Sequence, residues 1–77
     1  MYIFDYIVEQ CHIDFISDIK RIPKSELYHV LKDADYVGTK EEWEELLSYL
    51  AKLTHVSNSP QEAKEYLLNW LNREISK

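Results

Sequence analysis

Two four-residue segments in the second half of the chain constrain the fold most. Thr39-Lys40-Glu41-Glu42 and Ser59-Pro60-Gln61-Glu62 both read as capping boxes. In such a box a Ser or Thr hydroxyl takes the amide of the Glu three residues on, satisfying a donor that the first helical turn leaves without a partner. Behind the first box, Trp43, Leu46, Leu47, Leu50 and Leu53 recur at helical spacing. Behind the second, Ala63, Tyr66, Leu67, Trp70 and Leu71 do the same, and Pro60 suits a first helical position. Two amphipathic helices are therefore expected to open at Thr39 and Ser59, with residues 54–58 as the loop between them. Glu41, Glu42, Glu44 and Glu45 are expected to face water.

The first half carries weaker punctuation. Ile3, Phe4, Ile7, Val8 and Cys11 fall on one helical stripe, with Asp5, Glu9 and Gln10 opposite, so residues 2–11 read as a helix. Asp14 suits an N-cap for a second helix over 15–21, with Ile13 as a hydrophobic staple and Phe15, Ile16 and Ile19 facing inward. Ile22-Pro23 ends that helix, and a third starts at Pro23 or Lys24 with Leu27, Val30, Leu31 and Ala34 inward. Asp33 to Gly38 is a connector, in which the single glycine supplies a positive φ. The expectation is an all-α, compact five-helix bundle forming one domain over residues 1–77. With 45% hydrophobic residues, one Gly and two Pro, the composition argues against disorder.

Charge is unevenly placed. The net charge is −5, which opposes non-specific attraction to nucleic acid. Residues 33–77 hold nine acids and five bases, whereas residues 20–32 hold four bases (Lys20, Arg21, Lys24 and Lys32) and one acid, Glu26. A basic contact surface on an otherwise acidic body is the main functional clue. Its bland counterpart is a solvated helix face.

Other chemistry is thinly represented. The single cysteine, Cys11, excludes an internal disulfide and suits a reducing, cytoplasmic setting. Cys11 and His12 are adjacent, so on a helix they point about 100° apart and do not share a proton easily; Cys11 continues the apolar stripe instead. His12, His29 and His55 lack metal-ligand spacing. No enzyme activity, cofactor or metal is expected. Trp43, Tyr66 and Trp70 read as core. Tyr2, Tyr6, Tyr36 and Tyr49 fit the inward faces less well, and surface tyrosines favour interfaces. The N-terminal run has no basic region like that of a signal peptide, and no apolar stretch reaches the roughly 20 residues that span a bilayer.

The stretch Ile16 to Lys32, ISDIKRIPKSELYHVLK, resembles the helix-turn-helix of bacterial regulators. Ile16 matches an apolar anchor, Ser17 the small crossing position, and Ile22, Leu27 and Val30 the later anchors. Lys20 stands where an apolar residue is usual and Arg21 where Gly is usual. With five helices around it, the chain looks like a λ-repressor-like (Xre-type) domain. That resemblance implies DNA contact by the second helix of the motif through Lys24, Ser25, Tyr28, His29 and Lys32, with Lys20 and Arg21 near phosphates. One module this small gives limited affinity, so a homodimer is expected. The chain also resembles the small phage modulator-of-repression proteins. That likeness implies an acidic antirepressor or immunity-type protein docking on a basic partner such as a repressor.

Overall fold

The computed structural model describes residues 2–34 and 37–76. Among these residues the chain forms four α-helices and one 3₁₀ helix, with no strand. α1 covers Ile3–Cys11, α2 Lys24–Lys32, α3 Lys40–Ala51 and α4 Pro60–Ile75; the 3₁₀ helix, Ile16–Arg21, lies between α1 and α2. α4 is the central element, about 24 Å long at 1.5 Å per residue, and both α2 and α3 pack along it. α1 lies against the 3₁₀ helix, α2 and α3. The radius of gyration is 11.3 Å, close to the roughly 11.5 Å of a folded chain of this length.

One core joins these elements. Ile3, Phe4 and Ile7 of α1, Leu27 and Leu31 of α2, Trp43, Leu46 and Leu47 of α3, and Ala63, Leu67 and Leu71 of α4 are all buried together with Ile19. Each large aliphatic side chain removed from water contributes about 1.5–3 kcal/mol before entropic costs. Val8, Cys11, Val30, Leu50, Tyr66 and Trp70, expected inward, are half-buried.

Both capping hydroxyls act as expected. Thr39 Oγ1 accepts from the Glu42 amide and Ser59 Oγ from the Glu62 amide, each at 3.2 Å. The return half of each box differs. Glu42 Oε1 accepts from the Ile3 amide at 2.9 Å, so it caps α1, thirty-nine residues away in sequence. Glu62 Oε2 accepts from the Asn58 amide at 3.1 Å. Glu44 Oε2 accepts from the Ser57 amide at 2.6 Å and pins the loop ahead of α4. Glu42 and Glu44 are thus half-buried and do not simply face water, because each meets a backbone donor that lacks a helical partner. Glu41 and Glu45 are exposed.

The second helix departs most from the sequence expectation. It is a 3₁₀ helix, preceded by an extended Phe15 and with no side-chain cap, so Asp14 is not its N-cap. Three residues per turn place positions three apart in line. Ile19 and Ile22 on that line are buried, while Ile16 at its open end is 42% exposed and Phe15, off the line, 69% exposed. α2 starts at Lys24, after Pro23. α3 stops at Ala51 because Lys52 takes the left-handed conformation, φ 57°. Leu53 beyond it is consequently exposed. Gly38 has φ 77°, as expected of the lone glycine. Asp35 and Tyr36 of the same connector lie outside the described residues. No helix among the described residues is long and apolar enough to cross a membrane.

Lys64 went unnoticed in the sequence. It sits in α4, 5% exposed, and its Nζ donates to the carbonyls of Lys32 at 3.0 Å and Ala34 at 3.4 Å. A cation there answers carbonyls that the end of α2 leaves without helical partners, and it also suits the negative end of that helix's dipole.

Candidate binding surface

α2 is amphipathic because Leu27 and Leu31 turn into the core. Its outward side carries Ser25, His29 and Lys32, all exposed, with Tyr28 half-buried beside them, while Lys24, also exposed, stands at the first turn next to the core stripe. The Tyr28 and His29 rings meet edge to face at 6.0 Å between centroids. Four of the seven residues proposed from sequence therefore share the outward side of α2, with Lys24 at its first turn on the edge toward the core.

The other two diverge. Arg21 lines a shallow hollow with Asp18, Glu26, Pro23 and Cys11, where two carboxylates oppose its charge. Lys20 turns the other way: its Nζ lies 4.5 Å from the centre of the Tyr49 ring. Such a contact holds an ammonium in place at a modest gain. It also places Lys20 on the rim of a slot of about 270 Å³ between the 3₁₀ helix, the start of α2, the end of α3 and α4. Lys24 and Lys52 share that rim, and Ile22, Leu50 and Trp70 lie within. Lys20, Lys24 and Lys52 form no salt bridge with any described residue. Lys52 could not be found from sequence, because it stands twenty residues past the basic stretch and only the packing of α3 on α4 brings it near.

A carboxylate cluster adjoins the slot. Tyr2 is 38% exposed, and its hydroxyl lies 3.5 Å from Glu45 Oε2 as donor. Partial withdrawal from water, followed by the nearby charges of Glu45, Glu42 and Asp5, raises the Tyr2 phenol above its ordinary pKa. The Tyr2 ring packs 5.2 Å from Phe4, and Phe4 meets Tyr49 edge-on at 5.7 Å. Three aromatic side chains thus connect the acidic cluster to the lysine beside Tyr49.

The remaining candidates have structural roles. Cys11 is half-buried, and burial, then the Glu26 charge, pushes its thiol pKa up, which disfavours the nucleophilic thiolate. His12 ends α1 in the left-handed conformation. His55 stacks on Tyr66, with centroids 3.9 Å apart. Trp43 is buried, and its Nε1 donates to the Val37 carbonyl at 2.8 Å. Among the described residues no group of three His, Cys, Asp or Glu side chains gathers to hold a metal ion. A second hollow, of about 580 Å³, lies between Gly38, Trp43 and the start of α4, with Lys64 in its wall. Comparison with protein-family models, curated proteins and solved structures finds no match to the chain.

Proposed function

We propose that this chain is a small non-enzymatic transcriptional regulator that binds DNA through the outward stripe of α2. The observation that carries the reading is the exposure of Ser25, His29 and Lys32 on the outward side of a nine-residue helix, with Lys24 exposed at its first turn. Nine residues extend about 13.5 Å, and a major groove about 12 Å wide admits a helix. Few lysines means few neutralised phosphates, and the net charge of −5 opposes approach, so binding is weak, and it falls only modestly with salt because few counterions are released. The test is an anisotropy titration of labelled duplex fragments at about 50 mM and 200 mM salt. Binding below about 10 µM at the lower salt, lost in the variant Lys24→Glu plus Lys32→Glu, is expected. Absence of binding, or indifference to that variant, removes the reading.

A second reading is a modulator that docks on a basic protein such as a repressor. It is favoured by the acidic second half, where Glu41, Glu62 and Glu65 are exposed on α3 and α4. Opposite charge speeds such an encounter. A 1:1 complex that duplex DNA does not displace would decide for this reading over the first. A cytoplasmic setting belongs to both, since Cys11 is a free thiol and reduced thiols persist there.

A further inference from the structure

We infer that two copies of this chain pair through one face, each setting its Tyr2 carboxylate cluster against the lysine-rimmed slot of the other. The inference does not depend on DNA binding, since Lys20 and Lys52 lie in the 3₁₀ helix and just past α3, and only Lys24 belongs to both surfaces. Three observations carry it.

The first is the slot. Three lysines, all exposed, surround an apolar floor without a counter-carboxylate in salt-bridge contact among the described residues. In a chain with 14 acids and 9 bases, self-neutralisation of such a group would be ordinary. At about 270 Å³ the slot is smaller than the 300–1,000 Å³ of small-molecule sites. It has room for a single side chain with charges around it.

The second is that the complement exists on the same molecule. Tyr2 presents an accessible aromatic ring within the charges of Asp5, Glu42 and Glu45. Asp5 and Glu45, both exposed, face the lysine rim, and a tyrosine faces a floor bearing Tyr49 and Trp70.

The third is their placement. Ring contacts of 5.2 and 5.7 Å and the ammonium contact of 4.5 Å lead from Tyr2 through Phe4 and Tyr49 to Lys20. Phe4 lies in the core, but Glu45, Tyr49 and Lys52 stand at i, i+4 and i+7 along and just past α3, so the two patches share one side of that helix. A two-fold axis passing between them exchanges acidic patch for basic patch, so each meets its opposite in a closed, self-complementary dimer. The chain exposes 5002 Å², and a specific interface of about 1,000 Å² in total asks each copy for a tenth of that.

Lys52 fits this role. It holds the left-handed conformation in which glycine is the ordinary helix-ending residue, and it thereby places a cation on the rim.

Sedimentation equilibrium of the intact chain tests the inference, with thermal melts confirming that each variant folds. At about 50 mM salt the mass should rise from monomer to dimer within the micromolar range, and about 500 mM salt should weaken pairing at least tenfold, because exposed charges are screened. Lys20→Glu plus Lys52→Glu should remain monomeric. Asp5→Lys plus Glu45→Lys should also remain monomeric, although it lowers the net charge and would promote non-specific association. An equimolar mixture of the two variants should return the dimer mass. A wild-type monomer up to about 1 mM overturns the inference, since pairing weaker than that is negligible. So does a dimer that either charge-reversed variant leaves intact, a mixture that stays monomeric, or a mass that grows past two copies.

Discussion

A Cβ on Gly38 would stand 3.2 Å from Ile3 Cβ and 3.2 Å from Trp43 Nε1. Both neighbours are buried and fixed, Trp43 by its bond to the Val37 carbonyl and Ile3 by the Glu42 carboxylate on its amide. The φ of 77° is itself costly for any residue with a Cβ. Gly38→Ala therefore meets two penalties at once, and a loss of about 1–3 kcal/mol is expected. Urea denaturation checks this as a lowered midpoint at unchanged slope. A stability within about 0.5 kcal/mol of wild type would show that the connector relaxes freely. The need for glycine was legible in the sequence, since it is the only one and lies in a connector. The contact with Ile3 was not, because nothing local to residue 38 relates it to residue 3.

At the level of elements, α3 and α4 were readable because a capping hydroxyl, a Glu three residues on and a long apolar stripe all agree. The six-residue 3₁₀ helix was not distinguishable from an α-helix, as Ile16, Ile19 and Ile22 suit either period over so short a run. The end of α3 was placed too late because Lys52 adopts a conformation usually announced by glycine. The junction of α2 with α4 was hidden for another reason: a lysine in an amphipathic helix reads as solvent-facing. Lys64 instead joins the two helices by donating to the carbonyls of Lys32 and Ala34. Lys64→Met keeps the aliphatic bulk and removes the donors, leaving partly buried carbonyls short of partners at about 1–3 kcal/mol. The melting temperature should fall by roughly 4–8 °C per kcal/mol in a domain of this size. Amide exchange resolves the cause: protection of the last turn of α2 should fall more than that of α3. Equal loss in both helices would mean that Lys64 contributes only packing.

On the scale of the whole molecule, charge is distributed so that little of it stabilises the fold directly. Lys40, half-buried, and the exposed Glu41 approach to 4.0 Å, and surface pairs of this kind contribute at most about 1 kcal/mol. The carboxylates that matter to the fold, Glu42 and Glu44, accept from backbone amides. They could not be assigned from spacing, since Glu42 reaches α1 and Glu44 the loop before α4. What remains is a net charge of −5, which repels itself within the folded chain. The three rim lysines lie together, on the side of α3 that also carries Glu45 and the acids around Tyr2. Salt should thus act in two opposite ways. In dilute solution, where the chain is monomeric, raising salt from about 10 to 200 mM screens the net repulsion and should raise the melting temperature. In concentrated solution the same change weakens pairing between the acidic and lysine patches, and lost association lowers apparent stability. Melts recorded over a hundredfold range of protein concentration at both salt levels separate the two. The expected pattern is a salt-induced rise in the dilute samples that shrinks or reverses in the concentrated ones. A fall with salt at every concentration would mean that attractive pairs within one chain outweigh its net repulsion.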